Sequence, residues 1–444
     1  MAITTVLNAF LSKYDFVSDG IGINGIIEGL LFDMEQALLP ADARLTGTLE
    51  AREDMIPTWS MPPKESPKNT SVIFIDAGGT NFRAGLVSFD AEGKAEISDL
   101  QKFPMPAAGK RLSKKEFFDA MACNLDHVKN KSKRIGFCFS YPMTITPEGD
   151  GIALKFAKEV DAPEVVGCKV GECLVEALVE RGWEKPEKIV LLNDTVAALL
   201  AGAIKASDGK KYSSYVGLIL GTGLNTAYIE SGKIAKLSEH QNKTQIVVCE
   251  SGRYNKIPMS IFDKENDKTT TSPGESLIEK QSAGRYLGTI STLALKAAAK
   301  DGLFSKPVAQ AFLAADFAAT LFDIDQFLYA PYKTNTMLGG IAAKGCDDDY
   351  GLIFGILDAF IERAARTTTA LIAAAVIKSG QGQNPAMPVC VLCEGTTFLK
   401  THNLAPRVQV YLEDVLSKQR NLHYEIVTMD NAITLGAAIA GLAS

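Results

Sequence analysis

The stretch DAGGTNFR, Asp76 to Arg83, contains the first side chains whose types and spacing could do chemistry. Its adjacent glycines permit backbone conformations that residues with a Cβ avoid, and successive amides in such a turn can bind phosphate oxygens. Asp76 could hold Mg²⁺ through water, and Arg83 offers a planar donor fork for phosphate. The alternative is an ordinary hairpin turn in which Arg83 pairs with Asp76. The residues predicted to contact phosphate or its Mg²⁺ here are Asp76, Gly78, Gly79, Thr80, Asn81 and Arg83.

A second turn of similar composition lies in GLILGTGLNTAYI, residues 217–229. Gly221, Thr222 and Gly223 alone are a weak signal. Two such turns in one chain, each between apolar strands, suit a nucleotide held from both sides of a cleft. The duplication of the strand–turn–strand unit also indicates two related lobes.

A carboxylate follows the apolar strand in IVLLNDTVAALL, residues 189–200, where a helix begins at once. Asn and Asp are favoured helix N-caps, so capping is one interpretation of Asn193 and Asp194. The carboxyl ends of strands are, however, where α/β folds bind ligands. Asp194 could accept a proton from a substrate hydroxyl, and phosphoryl transfer needs one such carboxylate beside its positioning groups.

The composition excludes several classes of function. The chain has 444 residues, 46% of them hydrophobic, with a net charge of -6. This acidic balance argues against nucleic acid or an acidic membrane as the main partner. The apolar run Leu371 to Ile377 is too short to span a bilayer, and no signal peptide is predicted. Eight cysteines without an export signal indicate reduced thiols and a cytoplasmic location.

The elements that must position these residues alternate between strands and helices, as in an α/β architecture. Helical spacing covers the first 60 residues, a connector rich in Pro, Ser and Lys follows at 57–71, and a strand hairpin is predicted at 72–90. The later predicted elements are a helix at 113–130, a strand at 134–142, a strand and helix at 188–206, strands around a turn at 214–234, and a final strand and small-residue helix.

Several motifs occur together in the order and approximate spacing of the hexokinase family, which includes the glucokinases: FIDAGGTNFRAGLV, FSYP, GIALKFAKEV, LLNDTVAALL, GTGLNTAYIE, PGESLIEKQSAGRYLG and CEGTTFLK. The chain resembles this family from residue 40 to the C-terminus. The resemblance implies an α/β, two-lobed actin-like (ribonuclease H-like) ATPase fold, each lobe a mixed β-sheet with flanking helices. The small lobe is expected at 61–192 with the C-terminal helix 429–444, and the large lobe at 193–428 with the N-terminal helices 1–60.

The resemblance also implies a reaction, the phosphorylation of a hexose at its 6-hydroxyl by ATP, which is the first step of glycolysis. A hexose, glucose first, and MgATP are the expected partners, with Mg²⁺ carried by ATP and no direct protein metal site. Asp194 resembles the family's general base and Lys158 its phosphoryl-stabilising lysine. The implied sugar contacts are Ser140, Asn193, Asn225, Glu250 and Glu279, and the implied nucleotide contacts beyond the first turn are Gly221, Thr222, Gly223, Gly395 and Thr396.

Three segments depart from the family pattern. AKEV at 157–160 lacks one hydroxyl donor to the sugar, VCESG at 248–252 keeps the glutamate without the usual asparagine and tryptophan, and DNAITLGAA keeps one glycine of a Gly-Ser-Gly-x-Gly pattern. Two alternatives stay open: a sugar-binding regulator with this fold, and a kinase for another sugar such as mannose, fructose or an amino sugar. Retention of both Asp194 and Lys158 argues against the regulator.

Cys390 and Cys393 have CxxC spacing, but no second pair of suitable ligands accompanies them in the sequence. Buried strand cysteines are therefore expected in place of a zinc site. The same absence argues against the repressor-like sugar kinases, which resemble this fold and carry a Cys-rich zinc motif.

Overall fold

The computed structural model describes residues 3–16, 22–63, 65, 67–79, 81–156, 160–204 and 209–442. The strands are β1 Ile56–Pro57, β2 Thr70–Gly78, β3 Asn81–Phe89, β4 Ala95–Pro104, β5 Arg134–Phe139, β6 Met143–Ile145, β7 Gly151–Ala153, β8 Lys188–Leu192, β9 Ser214–Leu220, β10 Leu224–Glu230, β11 Gln245–Val248, β12 Val389–Glu394 and β13 Tyr424–Val427. The helices are α1 Ile3–Lys13, α2 Gly22–Ala37, α3 Lys114–Asn124, α4 Val170–Glu180, α5 Asp194–Ile204, α6 Ile261–Thr269, α7 Leu277–Ser282, α8 Gly284–Lys300, α9 Lys306–Leu313, α10 Leu321–Tyr329, α11 Met337–Ala342, α12 Asp347–Lys378, α13 Thr396–Lys400, α14 Leu404–Leu412 and α15 Ala432–Leu442.

The first mixed sheet has the strand order β4-β3-β2-β5-β8. β2 and β3 pair antiparallel, with Gly78 opposite Asn81 at their turn. β2, β5 and β8 pair in parallel, so their carboxyl ends meet at one edge. Asp76 lies near the end of β2, Ser140 follows β5, and Asp194 follows β8. The parallel pairing therefore brings these three polar residues to the same edge of the sheet.

The second mixed sheet has the order β1-β11-β10-β9-β12-β13. β9 and β10 pair antiparallel around the second glycine turn, with Leu220 opposite Leu224. β12 pairs in parallel with β9 and with β13. Because β9 and β12 run in the same direction, the turn after Leu220 and Gly395 after β12 lie at the same sheet edge.

Helices α5 and α15 pack against each other between the two sheets. α5 lies on β9, β10 and β12, and α15 lies on β2, β5 and β8. Where the helices cross, a Cβ added at Gly436 would collide with the backbone oxygen of Ala197. Side chains of both helices share one hydrophobic cluster with Val72 and Phe74 of β2 and Ile246 of β11.

The largest hydrophobic cluster lies on the opposite face of the second sheet. α12 is buried along much of its length, and the same cluster includes Ile27, Phe262 and Leu287 from α2, α6 and α8. Val391 of β12 belongs to this cluster, whereas its neighbour Leu392 packs on the α5 side. Among the described residues, each helix is either too short or too polar to cross a bilayer.

The predicted hairpin, the strand and helix around Asp194, the strands of the second glycine turn and the C-terminal strand and helix are confirmed. The two-lobed, mixed α/β prediction is confirmed as well. No α-helix follows Ala37 in the first 60 residues, because Pro40 cannot continue one. The helical prediction holds there only for two short 3-10 helices, Ala41–Ala43 and Gly47–Leu49, before edge strand β1. Cys390 and Cys393 are buried in β12, as expected. The lobe boundaries 61–192 and 193–428 stay a prediction.

Candidate active site

The first glycine turn joins β2 to β3 and packs against the end of β5. Gly79 has φ 57, in the region that favours glycine. A Cβ at Gly78 would lie 2.8 Å from Cβ of Ser140, so a larger residue would displace that serine. The hydroxyl of Tyr141 donates to the backbone oxygen of Gly79 at 2.9 Å. The turn therefore keeps its shape through contacts with β5, while Gly79 itself is exposed.

Asp76 lies just below this turn, with only 8% of the residue exposed. Its carboxylate forms an ion pair with Arg83 of β3, which is half exposed. Burial raises the pKa of Asp76, and the guanidinium of Arg83 opposes that rise. The structure thus contains the ion pair of the simple hairpin interpretation. The phosphate-binding role of Arg83 stays a prediction, since one guanidinium can pair with Asp76 and still present further N–H donors.

Asp194 is the first residue of α5, and its neighbour Asn193 caps the helix. Oδ1 of Asn193 accepts from the backbone N–H of Thr195 at 2.7 Å. Of the two residues predicted as possible helix caps, Asn193 is therefore the one that caps α5. Oδ1 of Asp194 accepts from the hydroxyl of Thr195 at 3.2 Å. Burial raises the pKa of Asp194 to about 6, and the nearby charge of Asp76 contributes to the rise.

Three of the predicted sugar contacts come together at the start of β10. Nδ2 of Asn225 donates to Oε1 of Glu250 at 2.9 Å, and the backbone N–H of Leu224 donates to Oε2 of Glu279 at 3.0 Å. Burial raises the pKa of Glu250 to about 7, with further increases from Asp54 and Asp194. Burial also raises the pKa of Glu279. Asp194 therefore lies close enough to Glu250, which follows β11, to repel its charged form.

The second glycine turn is bonded to the segments that follow β12 and α7. The backbone oxygen of Gly221 accepts from the hydroxyl of Thr397 and from the N–H of Gly284, both at 2.9 Å. Gly395 has φ 111, and a Cβ there would collide with the backbone oxygen of Leu220. The predicted nucleotide residues Gly221, Gly223 and Gly395 are therefore neighbours. Thr222 and Thr396 are exposed beside them.

The first glycine turn and the end of β12 lie close enough for their charged side chains to interact. Arg83, behind the first turn, lowers the pKa of Glu394, which immediately precedes Gly395. Ser140 lies beside Gly78, half-buried, with its hydroxyl 3.7 Å from Sγ of Cys138. Asn81 is exposed at the start of β3. Thr80 and Lys158 lie outside the described residues, so their predicted roles stay predictions.

Several residues at this site were not singled out from the sequence. Thr397 and Gly284, which bond Gly221, lie inside quoted motifs and could have been found there. Asp54 and Arg253, which act on Glu250, carry no motif signal, because their relation to the site exists only after β1 pairs with β11. In the described part of the chain, no group of three or more His, Cys, Asp and Glu side chains is arranged to hold a metal ion.

Solved structures with the same arrangement define the class of fold. The hexokinase from Schistosoma mansoni complexed with glucose superposes with a TM-score of 0.77 over 100% of both chains, at 21% identity. A second crystal structure of hexokinase superposes with a TM-score of 0.76, covering 99% of this chain and 100% of that chain, at 19% identity. At these identities the likeness shows the fold alone, which is the two-lobed hexokinase fold.

Two family models, both described as hexokinase, match residues 20–204 and 215–443. The chain therefore belongs to the hexokinase family. Hexokinase-1 of Schizosaccharomyces pombe is 31% identical over 53% of this chain and 51% of its own length. Hexokinase-5 of rice is 26% identical over 82% of this chain and 74% of its own. The chain thus spans about half the length of the S. pombe relative that it matches.

Proposed function

We propose that this protein transfers the γ-phosphoryl group of ATP to the 6-hydroxyl of a hexose, with glucose as the first candidate. Asp194 carries the proposal. It is a carboxylate with a pKa near 6 at the end of a parallel strand, close to Asp76 of the first glycine turn and to Glu250 of the second sheet. Membership of the hexokinase family supports the reaction. The relative from S. mansoni, described as complexed with glucose, supports the choice of sugar.

In the proposed reaction Asp194 accepts the proton of the sugar 6-hydroxyl. The hydroxyl oxygen forms a bond to the γ-phosphorus while the bond from that phosphorus to the ADP oxygen breaks. Asn225, Glu250 and Glu279 supply acceptors and donors to the ring hydroxyls, and a site built this way rejects sugars that leave its polar groups unpaired. Lys158 would stabilise the charge that develops on the transferring group.

The glycine turns fit the phosphates of the co-substrate. Side chains at Gly78 or Gly395 would collide with their surroundings, and the open face of Gly79 leaves backbone amides available to phosphate oxygens. Asp76 supplies one carboxylate beside this turn, which suits a Mg²⁺ ion that stays hydrated and arrives on ATP. Bound in this way, Mg²⁺ would neutralise phosphate charge.

The preferred sugar and the cellular location are also part of the proposal. A kinase for mannose, fructose or an amino sugar is the second candidate, because the segment with Glu250 lacks the asparagine and tryptophan of the family pattern. A cytoplasmic location is part of the proposal and rests on the eight cysteines, which suit a reducing compartment.

The test is ADP release from MgATP by the purified protein, with glucose, mannose, fructose and glucosamine in turn, for wild type and Asp194→Ala. We expect sugar-dependent release that falls by about 10²- to 10⁴-fold in the variant, the range that a positioned general base contributes. Sugar binding by the variant, measured by calorimetry, is the control for folding.

If no hexose stimulates release while glucose still binds to the wild type, the kinase proposal fails. The regulator, a sugar-binding protein with this fold and no transfer activity, then takes its place. A preference for another sugar in the panel would support the proposed phosphoryl transfer and would make that sugar, in place of glucose, the proposed substrate.

A further inference from the structure

Glu250 is held in an uncommon backbone conformation. Its φ of 54 and ψ of 41 are left-handed, a region that non-glycine residues rarely adopt. The turn it begins closes through the N–H of Arg253, which donates to the backbone oxygen of Glu250 at 3.0 Å. A Cβ at Gly252 would lie 2.5 Å from the backbone oxygen of Leu224, so the turn packs directly against the start of β10. Surrounding contacts must therefore maintain this conformation.

An ion pair connects the far end of this turn to a distant part of the chain. Nη1 of Arg253 lies 2.9 Å and 2.7 Å from the two carboxylate oxygens of Asp54. Asp54 also bonds the near end of the turn, because its backbone N–H donates to the oxygen of Cys249 at 3.0 Å. One residue thus contacts the chain on both sides of Glu250.

Asp54 is itself held in place. Nζ of Lys236 donates to the backbone oxygens of Asp54 at 2.8 Å and of Met55 at 2.6 Å. Immediately afterwards β1 pairs with β11, with Ile56 opposite Val248. The ion pair therefore joins the Glu250 turn to an anchored segment and not to a loose surface loop.

We propose that Asp54 and Arg253 are positioning residues that fix Glu250 against the sugar. This inference rests on the proposed sugar-kinase function. Neither side chain is assigned a contact with the substrate; both act through the turn and through their charges. On its other side Glu250 receives the amide of Asn225, so the carboxylate is constrained from two directions.

Asp54 and Arg253 carry opposite charges, so replacing each should change the pH dependence of sugar binding in opposite directions, which a general loss of structure would not do. The charged groups with the largest effects on Glu250 are Asp54, Asp194 and Arg253, and the thiol of Cys249 also interacts with it. Asp54 raises the pKa of Glu250 and Arg253 lowers it. An ionised carboxylate is the stronger acceptor for sugar hydroxyls, so sugar affinity should fall as pH falls through the pKa of Glu250. Removing Asp54 should move that transition to lower pH, and removing Arg253 should move it to higher pH.

The experiment compares Asp54→Asn and Arg253→Ala with Arg181→Ala. Arg181, at the end of α4, pairs with Asp126, which follows α3, and their side-chain exposures are 39% and 47%, against 40% and 41% for Arg253 and Asp54. We expect both test variants to raise the KM for the hexose about fivefold, which corresponds to the largest free energies measured for exposed ion pairs. The kcat should stay within about twofold of wild type. Arg181→Ala should match wild type.

The pH dependence of the hexose KM is then measured for each variant, with Arg253→Lys as a conservative variant that retains the charge. Opposite shifts in Asp54→Asn and Arg253→Ala, with Arg253→Lys near the wild-type midpoint, are the expected result. Shifts in the same direction, or KM values equal to those of Arg181→Ala, would overturn the inference.

A wild-type protein that releases no ADP with any hexose would refute the proposed function separately. Calorimetric glucose affinities of the same variants would then replace KM, and the same opposite pH shifts would still be required. If the wild type binds no glucose either, both proposals are wrong.

Discussion

At the scale of single residues, the ionisation of Asp194 follows from where the chain places it. A carboxylate at the end of a buried strand loses hydration, which disfavours its charged form. Asp76, at the same sheet edge, adds repulsion, while the hydroxyl of Thr195 favours the ionised form. The balance leaves a pKa of about 6, which keeps Asp194 ionised near neutral pH and close enough to that pH to accept a proton efficiently.

The ionisation of Asp194 should be visible in the pH dependence of the reaction rate. Because Asp194 must be unprotonated, and sugar binding is expected to weaken when Glu250 is protonated, kcat/KM for the hexose should be constant at alkaline pH, begin to decrease near pH 7 and decrease more steeply below about 6. The measurement is the initial rate of ADP formation at low hexose concentration between pH 5 and 9. A profile that stays flat down to pH 5 would contradict the assignment of Asp194 as the base.

Single residues also mark the limit of what the sequence could predict. The carboxylates of Asp76, Asp194, Glu250 and Glu279 are recognisable from their motifs, and all of them have raised pKa values in the structure. The left-handed backbone of Glu250 has no such signal, since non-glycine residues disfavour it. Partners such as Asp54 depend on a sheet pairing between distant segments, which local pattern does not specify.

At the scale of elements, the crossing of α5 and α15 determines how closely the two sheets approach. Gly436 of α15 leaves room for the backbone of Ala197 in α5, and Gly136 of β5 leaves room for the backbone of Ala437. Glycines at both crossings let α15 pack backbone to backbone against α5 and against β5. The sequence predicted the small-residue helix, but the crossing itself is a tertiary contact.

Gly436→Ala should therefore destabilise the fold by about 1–3 kcal/mol, because the new methyl group would overlap the backbone of α5. The matched control is Gly202→Ala in α5, where a Cβ would lie 3.2 Å from Sγ of Cys390 and a small adjustment suffices. Thermal unfolding of both variants measures the difference. Equal stability of the two would show that this crossing does not hold the sheets together.

Elements with buried apolar strands were predictable, and exposed ones were not. β2, β5 and β9 carry mostly buried side chains and stand out as apolar runs. β4 was missed because it is a largely exposed edge strand without regular alternation. The short pair β6 and β7 was missed for lack of length, since each has 3 residues.

At the scale of the whole molecule, the candidate site needs both sheets. The first supplies Asp76, the turn at Gly78 and Gly79 and, at the end of its last strand, Asp194; the second supplies Glu250 and the turn after β9. When catalytic groups come from two lobes, the site is complete only when the lobes close on the substrate. Closure of this kind also excludes water from the phosphoryl group. The duplicated glycine turns made the two-lobed arrangement predictable from the sequence.

Transfer of the phosphoryl group to the sugar 6-hydroxyl is tested most directly by identifying the phosphorus-containing products of the reaction. The protein is incubated with MgATP and glucose, or with MgATP and 6-deoxyglucose, and the products are observed by ³¹P NMR. We predict a phosphomonoester resonance of the 6-phosphate that grows with ADP when glucose is present. With 6-deoxyglucose, which lacks the accepting hydroxyl, no sugar phosphate should form. Inorganic phosphate as the only new product with glucose, or a sugar phosphate formed from 6-deoxyglucose, would contradict transfer to the 6-hydroxyl.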